Sequence, residues 1–222
     1  QFLPPLIASC KDTLAEIIVA DNHSNDSSVT FLQREFPEIR LILLDKNYGF
    51  AGGYQKALKE VKSDFFLFLN SDVEVKAGWL EPLLKIMDDS SVACCMPKLL
   101  SFKEKNKFEY AGAAGGFIDF LAYPFCRGRI FDSVEEDRGQ YDSTIDIFWS
   151  TGAAMLVKAD VFNAVGGFDS DFFAHMEEID LCWRIKKAGY RIVFCHESSV
   201  YHVGGGTLSN DSPFKLYLNF RN

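Results

Sequence analysis

Three short apolar runs early in the chain each end abruptly in a cluster of polar residues. The runs cover residues 14–20, 39–44 and 65–69, and they are rich in β-branched and aromatic side chains. Runs of this length and composition predict buried strands, and the polar clusters after them predict loops at the strand ends. The polar clusters begin at Asp21, Asp45 and Asn70.

Helical segments separate these predicted strands. Residues 27–36 have helical spacing, and the glycine-rich segment 49–53 leads into a helical stretch at 57–61. Strands that alternate with helices predict an α/β fold with a mostly parallel central sheet and helices on both faces. Ligands of such sheets bind beyond the carboxyl ends of the strands, which is the edge where the three polar clusters are expected.

The second half of the chain has a different pattern. Residues 101–146 mix glycine, aromatic and charged residues without a clear period, which predicts an irregular, partly β segment. The elements predicted after it are a strand at 148–157, a short helix, a turn at 166–169, an amphipathic helix at about 177–187, a strand at 191–195, an apolar segment at 200–202 and a glycine run at 204–206. Neither a repeat nor a linker interrupts this order, so residues 1–222 are predicted to form one domain.

Composition narrows the classes of protein that fit. The 222 residues carry 23 basic and 31 acidic side chains, and this net charge of -8 argues against binding to a nucleic-acid backbone. Six cysteines lack the paired spacing of zinc sites or disulfide frameworks, so we expect reduced, mostly buried thiols. No apolar run approaches the roughly 20 residues of a membrane-spanning helix, and no signal pattern starts the chain. We therefore expect a cytoplasmic protein.

The carboxylate of Asp72 follows the third predicted strand directly. Mg²⁺ and Mn²⁺ commonly bind through one or two carboxylates together with substrate phosphates, so Asp72 is a candidate cation ligand. A turn or a helix cap is the alternative role of an Asp in this place. His202, next to the glycine run, is a candidate for binding metal or phosphate, and a structural role is its alternative.

Two polar loops are candidates for binding a nucleotide. The cluster of Asp21, Asn22, Ser24 and Asp26 offers groups that bond a base or a ribose, although capping of the following helix is the commoner role of an Asp at the position of Asp26. The segment 47–53 places three glycines before a helix, where backbone N–H groups can approach an anion. As a loose glycine loop it is a weak signal on its own.

Three carboxylates, Glu177, Glu178 and Asp180, lie at the start of the predicted helix 177–187. Acidic residues in a first turn also stabilise a helix through its dipole, so their role stays open between stability and chemistry. Mutual repulsion raises the pKa of one member of such a group towards the range of a general base.

Taken in order, these segments resemble the inverting family 2 of nucleotide-sugar glycosyltransferases with the GT-A fold, in particular its rhamnosyltransferase-like and galactofuranosyltransferase-like members. The resemblance spans nearly the whole chain, and only the ordered set of motifs is specific. The motifs are Asp21-Asn22-x-Ser24-x-Asp26, Asn47-x-Gly49-Phe50-Ala51-x-Gly53, Leu69-Asn70-x-Asp72, Gly152-Ala153-Ala154-Met155, Gly166-Gly167-Phe168-Asp169 and Glu177-Glu178-x-Asp180-Leu181-Cys182-x-Arg184.

The resemblance implies a role for each candidate residue. Glu178 stands where the family has its catalytic base, with Glu177 and Asp180 as alternatives, and Asp72 and His202 would hold Mg²⁺ or Mn²⁺. The implied nucleotide-binding residues are Asp21, Asn22, Ser24, Asp26, Asn47, Gly53 and Ser71. Residues 1–100 would form the nucleotide-binding half and residues 101–222 the acceptor-binding and catalytic half. The family's first strand would precede Gln1, and a longer C-terminal region would follow Asn222.

The implied reaction transfers a sugar from a UDP- or dTDP-sugar to a hydroxyl of a glycan or a lipid-linked acceptor, with inversion at the anomeric carbon. Such a role in cell-surface glycan synthesis is compatible with peripheral association at the inner face of the membrane. Two alternatives remain. A sugar nucleotidyltransferase would need a basic triphosphate loop, which the sequence lacks, and a non-catalytic nucleotide- or carbohydrate-binding module would keep the fold without turnover.

Overall fold

A computed structural model describes residues 1–110, 112–131, 133–204 and 213–222, except for the side chain of Lys215. The helices are α1 (Leu3–Cys10), α2 (Ser28–Glu35), α3 (Gly49–Ala57), α4 (Leu80–Met87), α5 (Ala159–Ala164), α6 (Glu177–Lys187) and α7 (Pro213–Arg221). The strands are β1 (Ile18–Asp21), β2 (Arg40–Leu43), β3 (Phe65–Leu69), β4 (Val73–Val75), β5 (Val92–Ser101), β6 (Gly116–Ile118), β7 (Pro124–Cys126), β8 (Arg129–Ile130), β9 (Ser133–Val134), β10 (Ile145–Ile147), β11 (Ala154–Lys158) and β12 (Arg191–His202).

The main sheet has six strands in the order β10-β12-β5-β11-β3, with β4 also paired to β12. The expected α/β fold with a central sheet flanked by helices is confirmed, but the strand directions are mixed rather than mostly parallel. Strands β5 and β12 are parallel, whereas β11 is antiparallel to both β3 and β5. The chain enters β11 from the irregular segment instead of through a crossover helix, which allows the reversed direction.

Strands β1 and β2 form a separate parallel pair. The alternation of strands and helices predicted their parallel direction correctly. It also suggested that β3 would continue the same sheet, whereas β3 pairs with β11. Alternation along the chain predicts a crossover between neighbouring strands but cannot specify which strand edges hydrogen-bond.

Buried strands and phenylalanine rings make up the core. The first nine residues of β5 are buried, and the rings of Phe66, Phe68, Phe162 and Phe168 contact one another at centroid distances of 4.9–6.4 Å. All six cysteines are buried and free, as the sequence predicted. Among the described residues, no helix has the length and apolar character needed to span a membrane.

Some predicted boundaries were wrong. The helix predicted at 57–61 lies earlier, at Gly49–Ala57, and only a short 3-10 turn, Leu58–Glu60, follows it. The carbonyl of Phe173 accepts the N–H groups of Phe50 (2.6 Å) and Ala51 (3.3 Å) in the first turn of α3. The strand predicted at 191–195 continues to His202 through a register shift between Cys195 and Ser199. Of the predicted glycine run, 205–206 lie outside the described residues.

Candidate active site

Asp72 and His202 are brought together by the pairing of β4 with β12. The register places His202 opposite Val73, directly after Asp72, and the Val203 N–H donates to the Asp72 carbonyl at 3.1 Å. The Nε2 atom of His202 lies 3.2 Å from Oδ1 of Asp72. The two predicted metal ligands, far apart along the chain, therefore share one edge of the sheet.

A second carboxylate, that of Glu109, lies against the other nitrogen of the same ring. The distance from Nδ1 of His202 to Oε1 of Glu109 is 3.4 Å, and Glu109 is only 6% exposed. Burial lowers the pKa of His202, but its hydrogen bonds to Asp72 and Glu109 outweigh this and raise the pKa to about 9. The hydrogen bond from His202 in turn lowers the pKa of Asp72.

The sequence analysis did not single out Glu109, because it lies in the segment 101–146 that has no regular pattern. Glu109 lies on the Nδ1 side of the imidazole at ion-pair distance, which is the side from which a carboxylate orients a metal-binding histidine whose Nε2 faces the metal. The only local signal was an acidic residue in an apolar setting, next to Phe108 and Tyr110.

The Asp72–His202 pair fits a divalent cation in its donor chemistry. A carboxylate oxygen and an imidazole nitrogen suit Mn²⁺, and Mg²⁺ accepts the carboxylate together with phosphate oxygens. Within the described ranges, no three His, Cys, Asp or Glu side chains form a ready-made metal cluster. A cation at this pair would therefore need further oxygen ligands, such as those of a diphosphate.

Helix α6 begins with one buried and one partly buried carboxylate, those of Glu177 and Glu178. Glu177 is 4% exposed, Glu178 is partly exposed, and the Oε2 atom of each is buried without a hydrogen-bond partner. Burial, together with the charge of Glu178, raises the pKa of Glu177 to about 9, and burial raises the pKa of Glu178 to about 7. The backbone before them is strained, because His175 and Met176 both have positive φ angles.

Asp180 is engaged differently. Its Oδ2 accepts two hydrogen bonds from Arg184 one turn later, at 2.9 and 2.5 Å, and Arg184 also donates to the Val165 carbonyl at 2.7 Å. This i,i+4 pair attaches α6 to the end of α5 and uses the charge of Asp180. The geometry therefore narrows the candidates for the base to Glu177 and Glu178.

Asn22 joins the first two polar loops. Its amide donates to the Gly49 carbonyl at 2.7 Å and to Oδ1 of Asn47 at 3.2 Å, and its Oδ1 accepts the Tyr48 N–H at 2.9 Å. A Cβ atom on Gly53 would lie 3.0 Å from the Asn22 amide nitrogen. Asn22, in the loop after β1, thus packs closely against Asn47 before α3 and against Gly53 in the second turn of α3.

The remaining residues of the first loop have local partners. Asp21 accepts the Ser24 N–H at 3.0 Å, and Asp26 accepts the Ser28 N–H at 2.9 Å at the start of α2. The bond to Ser28 also lowers the pKa of Asp26. This contact is an Asx turn that orders the entry to α2, whose N-cap residue is Ser27, so Asp26 does not occupy the capping position itself.

A single cavity of about 3080 Å³ connects most of the candidate residues. Those that line it are Asn22, Ser24, Asn47, Gly53, Ser71, Asp72, Glu177, Glu178 and His202. Glu109 lines it as well, whereas Asp21, Asp26 and Asp180 do not. The proposed metal pair and the acidic start of α6, distant in sequence, therefore face the same space.

Comparisons with known proteins show glycosyltransferases that are similar to this chain. Over 215 residues the chain is 23% identical to N-acetylglucosaminyl-diphospho-decaprenol L-rhamnosyltransferase of Mycobacterium tuberculosis, covering 90% of this chain and 70% of that protein. Over 163 residues it is 28% identical to rhamnosyltransferase WbbL of Escherichia coli, covering 70% of this chain and 60% of that protein.

The fold is similar to that of solved glycosyltransferases. A crystal structure of GalNAc-T7 with UDP, GalNAc and Mn²⁺ matches with a TM-score of 0.71 and 15% identity, over 90% of this chain and 40% of that one. The mannosyltransferase PcManGT of Pyrobaculum calidifontis, in complex with GDP-Man and Mn²⁺, matches with a TM-score of 0.56, 15% identity and coverage of 86% and 48%. The chain thus spans less than half the length of these solved structures. The model of the family described as "Glycosyl transferase family 2" matches residues 1–162, which is most of the sequence, and the chain therefore belongs to glycosyl transferase family 2.

Proposed function

We propose that this chain is the catalytic domain of a metal-dependent inverting glycosyltransferase whose base is Glu178. The observation that carries the proposal is that the Asp72–His202 pair and the buried carboxylates of α6 line one cavity. Sugar transfer from a nucleotide diphosphate needs two groups. One is a pair of residues that holds a cation against the diphosphate, and the other is a carboxylate that takes the proton of the acceptor hydroxyl.

Glu178 is suited to remove a proton from an acceptor hydroxyl. A base works best when its pKa lies near the operating pH, and burial raises the pKa of Glu178 to about 7. Burial and the charge of Glu178 both raise the pKa of Glu177, so we assign the retained proton of the pair to Glu177, the more buried of the two carboxyls. As Glu178 takes the proton, the acceptor oxygen bonds to the anomeric carbon from the face opposite the diphosphate. The bond from that carbon to the diphosphate oxygen breaks, its electron pair leaves with the diphosphate, and the configuration of the carbon is inverted.

Asp72 and His202 would hold the cation, with Glu109 fixing the ring of His202. When bound, Mn²⁺ or Mg²⁺ supplies compensation for the negative charge that develops on the leaving diphosphate. Asn22, Asn47 and Gly53 shape the donor side of the cavity, which Ser24 and Ser71 also line. We assign Asp21 and Asp26 to holding the first loop in place.

The substrates follow from the relatives only by analogy. We propose a UDP- or dTDP-sugar donor carrying a hexose or deoxyhexose, and an acceptor that is a glycan or a lipid-linked sugar. The name of the M. tuberculosis relative contains a diphospho-decaprenol, which is such a lipid carrier. A protein with this acceptor would act in the cytoplasm at the inner face of the membrane.

The test compares donor binding with turnover. Isothermal titration of UDP, with and without Mn²⁺, measures donor binding. It is carried out on wild type, Asp72→Asn, Glu178→Gln and the exposed control Asp12→Asn. We expect Asp72→Asn to lose the Mn²⁺-dependent part of UDP binding, and Glu178→Gln to bind normally but to transfer sugar at least about 100-fold more slowly.

Two results would contradict the proposal. Mn²⁺-dependent UDP binding that survives Asp72→Asn would remove the metal assignment. Unchanged transfer by Glu178→Gln would remove the base.

A further inference from the structure

The segment 171–176, directly before α6, has an unfavourable backbone conformation. Phe173, His175 and Met176 have φ angles of 62°, 68° and 72°, a region that residues other than glycine rarely adopt. Such strain persists only where the surrounding structure holds the backbone in place. The two carboxylates at the start of α6 follow this segment directly, so the contacts that hold the segment also set where the proposed base lies.

Part of this support comes from α3. The Phe173 carbonyl accepts the N–H groups of Phe50 and Ala51 in the first turn of that helix. The approach is so close that a Cβ atom on Gly49 would clash with the same carbonyl. Helix α3 thus fixes the middle of the segment, and the carbonyls on either side of Phe173 have other partners.

Asn222, directly after α7, binds three of these carbonyls. Its Nδ2 atom donates to the carbonyls of Phe172 (3.1 Å), Ala174 (2.9 Å) and His175 (2.7 Å). A side-chain amide has two N–H groups, so one of them is shared between two carbonyls. The backbone N–H of Asn222 donates to the Leu218 carbonyl at 3.0 Å, which holds Asn222 in line with the helix.

Arg221, the last residue of α7, completes the contact. Its Nη2 atom donates to the carbonyls of Asp171 and Phe172, both at 2.7 Å. Its Nε atom donates to Oδ1 of Asn222 at 2.9 Å, which orients that amide so that Nδ2 faces the carbonyls. Together with the contact from α3, every backbone carbonyl of residues 171–175 accepts a hydrogen bond.

Helix α7 also packs against the segment and reaches the cavity. The rings of Phe214 and Phe173 meet edge to face with their centroids 6.0 Å apart, and Leu218 is buried. Phe214 and Phe220 line the cavity that Glu178 lines. The two polar side chains at the end of α7 therefore belong to a packed contact beside the proposed reaction centre.

From these contacts, and resting on the proposed transferase function, we propose that Arg221 and Asn222 are positioning residues for Glu178. By binding the carbonyls of residues 171–175 they hold the strained backbone, and with it the first turn of α6, in the conformation that places the Glu178 carboxyl in the cavity. Without them the segment would relax towards a less strained conformation. The carboxyl would then be more hydrated and no longer held in one orientation.

Hydrogen exchange on the full chain measures the support of the segment without any substrate. We expect Asn222→Ala to speed exchange of the Phe173 and Ala174 amides about tenfold or more, the loss of at least one hydrogen bond. Asn222→Asp has the same shape but no N–H groups and should behave alike, which separates donation from packing. The exposed Asn106→Ala, outside the cavity, is the control and should change nothing. Exchange of the core strand β5 checks that each variant is folded.

The titration of the Glu178 carboxyl, followed by NMR and assigned with Glu178→Gln, reports whether the support reaches the base. Burial raises the pKa of Glu178 to about 7, and Glu177 is its titratable neighbour. Asn222→Ala removes no charge, so a fall of the Glu178 pKa towards 4.5 would report that the carboxyl has become hydrated. Arg221→Ala removes a positive charge, which by itself would raise that pKa, so a fall in this variant also indicates movement.

Turnover gives the catalytic consequence. Asn222→Ala should lower kcat about 10–100-fold and leave KM for the nucleotide sugar within about twofold of wild type, because a misplaced base affects the reaction and not donor binding. Arg221→Lys keeps a charged donor and should retain more of kcat than Arg221→Ala. The double variant Asn222→Ala with Glu178→Gln should be no slower than Glu178→Gln alone, because a residue that acts through the base has no effect once the base is absent.

Three outcomes would overturn the proposal. Unchanged exchange in Asn222→Ala would show that the segment is held without this side chain. Faster exchange with an unchanged Glu178 pKa and an unchanged kcat would show that the support does not reach the base. Additive losses in the double variant would show that Asn222 acts elsewhere. Failure of the proposed function is distinguishable, because Glu178→Gln would then transfer sugar at the wild-type rate, whereas exchange and the carboxyl titration need no transfer.

Discussion

Glu177→Gln should make the protein more stable at alkaline pH. The carboxyl of Glu177 is 4% exposed, and burial with the nearby charge of Glu178 raises its pKa from 4.5 to about 9. Between these values the unfolded chain is ionised and the folded chain holds the proton, so wild-type stability is fully present below about pH 4.5 and decreases as pH rises towards 9. Glutamine replaces the neutral acid at similar volume and does not titrate.

The size of the effect follows from the pKa. Each pH unit between the two pKa values corresponds to about 1.4 kcal/mol, so an upper limit near pH 8 is about 5 kcal/mol. The folded protein relaxes around a new charge, and part of the rise in the pKa of Glu177 comes from the charge of Glu178. We therefore expect a stability difference of roughly half the upper limit, about 2–3 kcal/mol. At pH 5 the variant and wild type should differ by less than about 1 kcal/mol.

Urea unfolding followed by tryptophan fluorescence at pH 5, 6.5 and 8 measures this difference. The exposed Glu38→Gln serves as the matched control and should run parallel to wild type. A Glu177→Gln profile that also runs parallel to wild type would refute the reasoning, because it would mean that Glu177 is ionised in the folded protein.

Three further predictions concern the site. Glu109→Gln should weaken Mn²⁺ binding in the presence of UDP about 10–100-fold by releasing the ring of His202, as read by titration calorimetry, and an unchanged affinity would remove its orienting role. Below about pH 7, kcat should fall about tenfold per pH unit as Glu178 becomes protonated, whereas a flat profile between pH 5 and 8 would exclude it as the base. Gly53→Ala should lower the free energy of unfolding in urea by about 1–3 kcal/mol, because the new Cβ would lie 3.0 Å from the Asn22 amide. A variant as stable as wild type would show that the loop of Asn22 moves to accommodate the methyl group.

Elements with strong local patterns were predicted well from the sequence. The amphipathic helix at 177–187 and the strand at 65–69 have the predicted bounds in the structure, because their periodicity and composition are local properties. Strand β4 and helix α4 were not predicted. The direction of β11 was also not predictable, since strand pairing depends on contacts between residues distant in sequence.

The sequence predicted those site residues that directly follow a recognisable strand or begin a recognisable helix. Asp72 comes directly after β3, and Glu177 and Glu178 begin α6. The sequence could not distinguish Asp180 from these two residues. The ion pair between Asp180 and Arg184, which argues against a catalytic role, is visible only in the structure. Glu109 lies in an irregular segment where no period marks which side chains face inwards.

The contact between Asp72 and His202 depends on the register of β12 as much as on the two residues themselves. Side chains alternate between the faces of a strand, so a shift by one residue would turn His202 away from Asp72 and from Glu109. The register of β12 against β5 changes between Cys195 and Ser199, upstream of the segment that pairs with β4. Without this irregularity the regular register of residues 192–195 would extend to the end of the strand and bring a different residue to Val73. The bulge is therefore part of what builds the proposed metal site, and it coincides with the break between the two segments, 191–195 and 200–202, that the sequence pattern predicted.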